Sequence, residues 1–276
     1  MSDNADRVFD IGSVAKVLTP TLLAQHVIEG ALALDDDIAS HLGINLNNNA
    51  KISFKQLANH TSGLPRLPPG LLWQSLFNNS DNPYKQYDDA KLLNYLQNQL
   101  KQKKTHKSRY SNLGFGVLGH TLAHINQCSF ETLLQQKLCT PLELDSTSTD
   151  RTKLAQKLVI GQDKKGKPVP FWDLASLTGA GGIYSSANDL AKLLIANFDL
   201  ANEAIALQQR PTHKLNKQVS IALGWLVISD PSNLTQPFYW HNGGTSGFSS
   251  QMLMDVTNRT GLILLSNISS MYLLKG

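Results

Sequence analysis

From Gly224 onward the chain repeats one pattern: "GWLVIS", "FYWHNGG", "SSQMLMD" and "GLILLSN" are extended-type segments parted by turn residues, and Asp255 to Gly261 reads as a hairpin loop. Consecutive strands at this spacing pair with their sequence neighbours, so the C-terminal part is expected to be an antiparallel meander. Such a sheet buries at least one face. The helix expected to cover it starts at Ser13 and runs to about Gly30, after a short extended entry, "RVFDIG". Pro20 predicts a kink in that helix, because it removes the hydrogen bond to the Lys16 carbonyl.

Between these parts, from about Ile52 to Asn197, the pattern is mostly helical and broken by Gly, Pro and Asn clusters, with helices expected from Asn112 to Asn126, Ser129 to Cys139 and Ser186 to Phe198. Ser186 and Asp189 are both placed to cap the first turn of the last helix. The fold class is therefore α+β, an antiparallel sheet flanked by helices. Residues 1–51 and 198–276 form the sheet domain, and residues 52–197 the mostly helical region.

At 276 residues, 41% hydrophobic and 17% charged, the chain is long and apolar enough to bury a core and is neither disordered nor fibrous. The formal charge of +4 is carried partly by the run "KQKKTHKSR", Lys101 to Arg109, which reads as a solvated loop. It has no interleaved aromatic residues, which argues against nucleic-acid binding. Cys128 and Cys139 flank a helix of about ten residues, roughly 15 Å long, and are expected to stay unpaired. The first residues, "MSDNADRVFD", are no signal peptide, and no apolar run approaches the ~20 residues that span a bilayer. As it stands the chain reads as soluble and cytoplasmic.

Three short constellations carry chemistry. Ser13 precedes Lys16 by one helical turn, so the lysine amine can reach back over the serine hydroxyl and activate it without a histidine. "RYSN", Arg109 to Asn112, and "HNGGTSGF", His241 to Phe248, are the other two. Each alone is weak; in this order and in these contexts they are strong. His60 in "NHTSGL" reads as a residue that holds a loop, and the glycines of "GAGG" (Gly179 to Gly182) as packing or turn positions rather than a phosphate cradle. His120 and His124 have a zinc-compatible spacing, but "HTLAH" lacks the glutamate that follows the first histidine of a zincin, so no metal is expected.

In these motifs the sequence resembles the serine β-lactamase and penicillin-binding-protein superfamily, in its class C branch, which also holds DD-peptidases and esterases. Ser13-Val14-Ala15-Lys16, Tyr110-Ser111-Asn112 and His241-Asn242-Gly243 stand for its three motifs. "EGALALDDDIASHL", "LANHTSGLP", "YSNLGFGVLGH" and "GAGGIYSSANDLAKLL" extend the likeness along almost the whole chain. The resemblance implies a serine hydrolase working through an acyl-enzyme, without a cofactor, on an amide or ester. Its substrates would be small molecules or peptides, including peptidoglycan-like ones, and its compartment periplasmic or secreted. A catalytically inactive penicillin- or peptidoglycan-binding protein of the same fold is the alternative.

Ser13 is the expected nucleophile, with Lys16 and Tyr110 a coupled acid/base pair. Asn112 is expected to bond both Lys16 and a substrate carbonyl. Gly243 and Gly244 are expected to line the cleft edge, where the absence of side chains lets substrate approach. The resemblance assigns the oxyanion hole to the Ser13 and Gly244 amides.

The chain departs from the family at both ends, with only Met1 to Gly12 ahead of Ser13 and no final helix after "LLSNISSMYLLKG", which predicts a fragment or a smaller, edge-exposed sheet. Asn242 replaces the usual threonine and His241 the common lysine. With a reference pKa of about 6.5, His241 is expected to be mostly neutral at pH 7.5 and to charge toward pH 6. Carboxylate substrates should then bind less well than neutral esters, unless Thr245, Ser246 or the lysines ahead of Tyr110 make up the contact.

Overall fold

A computed structural model describes residues 4–71, 82, 84–102, 107–229 and 237–269. Strand β1 (Val8–Asp10) leads through a 3₁₀ turn (Gly12–Val14) into helix α1 (Ala15–Ile28). Short helices α2 (Ile38–Leu42), α3 (Phe54–Ala58) and α4 (Asp89–Asn94) precede the long α5 (Asn112–Ile125). Helix α6 (Phe130–Leu134) widens into a π-type turn over Gln135–Cys139. A 3₁₀ segment (Ala175–Ala180), strand β2 (Tyr184–Ser186) and helices α7 (Ala187–Asn197) and α8 (Glu203–Gln209) follow.

The remaining strands are β3 (His213–Lys214), β4 (Val219–Ile221), β5 (Leu226–Ile228), β6 (Phe238–Gly244), β7 (Ser249–Asp255) and β8 (Thr260–Ser266). They lie in chain order in one sheet, every pair antiparallel. The meander is therefore as expected but longer by β3 and β4, whose two and three residues are too short to show a period-two pattern. β1 and β2 form a separate antiparallel pair that ties the entry to Ser13 to the mid-chain segment.

Alternation decides which groups of the sheet face inward. His241 and Gly243 on β6, and Ser250, Met252 and Met254 on β7, point to the buried side. On β8, at the sheet edge, Leu262 and Leu264 are 56% and 49% exposed. One apolar core joins Leu18 and Leu22 of α1, Phe115 and Leu118 of α5, and Trp225 and Met252 of the sheet. Each such side chain contributes roughly 1.5–3 kcal/mol by leaving water.

Pro20 does not end α1, which runs through it. The Lys16 carbonyl that Pro20 cannot serve is instead approached by the backbone of Gly224: a Cβ there would lie 2.0 Å from that oxygen, and the φ of +81° also demands glycine. α5 crosses the 3₁₀ segment at a glycine contact, where a Cβ on Gly179 would be 3.0 Å from the Gly119 Cα. The "GAGG" glycines are thus packing positions, and their close approach sets the place of the Ala180 carbonyl.

Ser186 caps α7 by accepting from the Asp189 amide at 3.1 Å. The Asp189 carboxylate does not join it, because it turns to the Ser146 amide (2.8 Å) and the Thr147 hydroxyl (2.7 Å). Cys128 and Cys139 are both free. The centre of the basic run, residues 103–106, and the chain end, residues 270–276, lie outside the described residues.

Candidate active site

The turn into α1 is held on both sides. Asp10 Oδ1 accepts from the Gly12 amide at 3.0 Å, and the Ser250 hydroxyl donates to the Ile11 carbonyl at 2.7 Å. Gly12 has φ +49°, and a Cβ there would meet the Gly244 amide at 2.9 Å. A Cβ on Gly243 would lie 2.2 Å from the Ile11 carbonyl and 2.9 Å from the Ser13 nitrogen. The first and third motifs are therefore in direct backbone contact, and both glycines are required for it.

Lys16 is wholly buried. Its Nζ donates to Ser13 Oγ at 3.1 Å and to the Ala180 carbonyl at 2.5 Å, and stands 5.0 Å from the centre of the Tyr110 ring. Burial lowers its pKa from the ordinary lysine value of 10.5, and the Arg66 charge pushes the same way while Tyr110 opposes. The Tyr110 hydroxyl donates to Ser13 Oγ at 2.7 Å. Lysine and phenol thus converge on one serine oxygen.

Tyr110 is positioned by two crossing loops. Its ring packs on that of His60 at 4.5 Å, tilted by 36°, and His60 Nδ1 accepts from the Ser111 amide at 3.1 Å. Ser111 Oγ donates to the Pro65 carbonyl (2.6 Å) and accepts from the Gly114 amide (2.8 Å), which caps α5. The Arg66 carbonyl accepts from the Asn112 and Leu113 amides at 2.9 and 3.2 Å. Burial, with Lys16 adding to it, holds the His60 pKa well below 6.5, so His60 is a neutral acceptor. The loop-holding role expected of His60 is what the structure shows, with Tyr110 as the group it holds.

Asn112 departs from expectation. Lys16 bonds Ala180 and Ser13 rather than the Asn112 amide. Asn112 Oδ1 is buried without a hydrogen-bond partner, and the Thr245 hydroxyl is buried beside the Asp10 carboxyl. Both residues line a narrow slot beside Ser13, together with Gly12, Tyr84, Trp172, Leu174, Leu177, Ala180, Gly181 and Gly244. Its volume is about 30 Å³. The Tyr84 and Trp172 rings pack 5.4 Å apart and form its aromatic wall.

His241 is 5% exposed, and its Nδ1 donates to the Asn242 carbonyl at 2.8 Å. Burial, reinforced by Lys16, pulls its pKa down to about 3. The expected gain of charge toward pH 6 is therefore overturned: the ring stays neutral, with Nε2 an acceptor. Asp10 moves the opposite way, its carboxyl raised by burial to about 7 against the pull of the Gly12 amide, the Thr245 hydroxyl and Arg151. His120, read for its zinc-like spacing, takes Asp89 as its partner at 3.2 Å.

Asp10, His60, Arg66, Tyr84, Trp172 and Ala180 complete the site, and none carries a local pattern that singles it out as a cleft residue. The "GAGG" run was the nearest signal for Ala180; its carbonyl contact with Lys16 spans 164 residues of sequence.

Known proteins share the sequence family and the fold. The family model described as Beta-lactamase matches residues 4–272. "Protein flp" of Staphylococcus aureus (strain N315) is 24% identical over 97% of the chain, and the chain spans 54% of its length. "D-alanyl-D-alanine-carboxypeptidase/endopeptidase AmpH" of Escherichia coli (strain K12) is 25% identical over 90% of the chain and 68% of its own length. Among solved structures, a class C beta lactamase from Rhodobacter sphaeroides superposes with a TM-score of 0.81 at 23% identity, covering 97% of this chain and 82% of that one. A beta-lactamase/D-alanine carboxypeptidase from Pseudomonas syringae gives 0.80 at 21%, covering 96% and 80%.

Proposed function

The chain belongs to the Beta-lactamase family, and on that premise we propose that it is a serine hydrolase that forms an acyl-enzyme at Ser13 on amide or ester substrates. The observation that carries this reading is the convergence of Lys16 Nζ and the Tyr110 hydroxyl on Ser13 Oγ, at 3.1 and 2.7 Å. Ser13 Oγ forms a bond to the substrate carbonyl carbon while its proton passes to the Lys16–Tyr110 pair. The same pair returns the proton to the leaving amine or alkoxide as the carbonyl–heteroatom bond breaks, and water then hydrolyses the acyl-serine.

A lysine can accept that proton near neutral pH only if its pKa is lowered, and full burial supplies the cause. The Ser13 and Gly244 amides are assigned to the developing oxyanion. The unpartnered Asn112 Oδ1 is assigned to a hydrogen-bond donor of the substrate, since a buried oxygen left without a partner costs about 1–3 kcal/mol, and Thr245 lines the same slot. The slot of about 30 Å³ has room for little more than the reacting carbonyl, so the substrate reaches Ser13 with a small group foremost. Activity on peptidoglycan-like peptides would place the protein in the periplasm or outside the cell.

The test is intact mass after incubation with a fluorophosphonate, followed by peptide mapping. One adduct, on Ser13, is the expected result. An adduct elsewhere, or none on a sample shown to be folded, overturns the hydrolase reading in favour of an inactive binding protein.

A further inference from the structure

The cations around the cleft divide sharply by what they are already doing. Lys16 is buried and committed to Ser13 and Ala180. His241, in the place where the motif commonly has a lysine, is buried and neutral. Arg151 lies over the Phe171 ring at 5.6 Å, bonded to Tyr184 and in the field of Asp173 and Asp10. Arg66 differs from all three. It is exposed, its guanidinium stands 5.2 Å from the centre of the Tyr110 ring, and among the described residues it has no ion pair.

Its backbone is as fixed as its side chain is free. The Arg66 carbonyl holds the first two amides of α5, and the adjacent Pro65 carbonyl holds the Ser111 hydroxyl. The arginine is thereby locked onto the loop that carries Tyr110, one aromatic ring away from the Ser13 hydroxyl that Tyr110 touches. The slot of about 30 Å³ is too small for more than the reacting carbonyl, so most of a substrate must lie outside it, and Arg66 is an exposed cation beside Tyr110.

We propose that Arg66 is the anion-recognition residue of this site, pairing with a carboxylate on the part of the substrate that lies over Tyr110. The inference rests on the serine-hydrolase reading. A guanidinium presents two parallel N–H groups that match a carboxylate, and its charge persists at every working pH, unlike that of a histidine. It supplies from the loop side the charge that the third motif lacks, so the expectation that carboxylate substrates are disfavoured no longer follows from position 241. The preferred substrates are esters or amides bearing a carboxylate.

Acylation rates separate this role from an effect on Tyr110. Mono-p-nitrophenyl succinate and p-nitrophenyl butyrate are of similar length and differ in charge, and the release of p-nitrophenol reports acylation of Ser13. In Arg66→Gln the ratio of kcat/KM for the charged ester to that for the neutral one should fall about tenfold, carried by KM. Arg66→Glu should lower it further, and Arg66→Lys should restore part of it. The wild-type ratio should also decline as salt is raised. Equal losses on both esters mean that Arg66 acts only through the Tyr110 ring, and an unchanged ratio means that it recognises nothing; either overturns the inference and leaves the hydrolase intact. If neither ester acylates Ser13 in the wild type, the hydrolase reading fails and this inference with it.

Discussion

Lys16 on α1 and His241 on β6 are two buried bases on two walls of the same site, and burial does opposite things to their usefulness. Both lose proton affinity because a low-dielectric surround disfavours the charged form. Lysine starts at 10.5, so the loss moves it toward the pH at which a base must work. Histidine starts at 6.5 and is carried to about 3, out of the range in which it can respond to anything. The same dry environment makes one wall a proton-transfer device and the other a fixed hydrogen-bonding surface.

The largest effect tests whether the first wall does chemistry at all. Ser13→Ala should abolish acylation by fluorophosphonate or p-nitrophenyl esters, measured by intact mass. The fold should survive, since the Ser13 side chain caps neither the 3₁₀ turn nor α1. Retained labelling at another residue would break the comparison at its root, because Lys16 would then have nothing to activate.

Next come the two groups that meet at Ser13 Oγ. Lys16→Ala and Tyr110→Phe should each slow acylation by about a hundredfold or more, the usual scale for a positioned proton-transfer group. The double variant should lose much less than the product of the single losses, because both serve one proton network. In the unmodified protein acylation should rise with pH as Lys16 gives up its proton, with a midpoint below 10.5. In Lys16→Ala that rise should vanish. Multiplicative losses measured in stopped flow would show two independent devices instead of one.

The two walls also differ in how far they can be read from sequence. Ser13 and Lys16 are three residues apart, so helical geometry alone brings them together, and their 3.1 Å contact is a local event. β6 and β7 have the bounds that their period-two patterns give, because alternation is likewise local. The ionisation of His241 depends on Lys16 and on burial among distant elements, which no spacing encodes. The Ala180 carbonyl is of the same kind: it, and not the Asn112 amide, takes a Lys16 N–H because two glycines let α5 and the 3₁₀ segment approach. Motif residues and strands were legible; charge states and the partners of the buried amine were set by tertiary contacts.

A smaller effect concerns Asp10, which sits behind the point where the walls meet. Its pKa is raised from 3.8 to about 7, so the folded state holds a proton more tightly than the unfolded chain does. The stabilisation from the protonated form is complete below pH 3.8 and is lost as pH rises through about 7. Arg151, Tyr184 and Thr245 are the neighbours that face this carboxyl and share its titration. Asp10→Asn keeps an acceptor for the Gly12 amide and removes the ionisation. The wild type should therefore lose several degrees of Tm relative to Asp10→Asn between pH 5 and 8, and parallel melting curves would show that Asp10 does not titrate in the fold.

The smallest expected effect is no change at all, and it is the sharpest test of the second wall. A His241 that titrates near 6.5 would improve binding of a carboxylate ester as pH falls from 7.5 to 6, through a new positive charge. A ring buried beside Lys16 and bonded through Nδ1 to the Asn242 carbonyl keeps one protonation state over that whole interval. The KM of mono-p-nitrophenyl succinate should therefore have the same pH dependence in the wild type and in His241→Gln between pH 5.5 and 8, and the His241 ring resonances should not shift with pH in NMR spectra. His241→Lys adds a charge in a site that already disfavours one next to Lys16, so it should lower stability and depress the Lys16 pKa further instead of simply recruiting a carboxylate. A histidine resonance assigned to His241 that moves with a midpoint near 6 would restore it as a pH-responsive group and remove the contrast between the two walls.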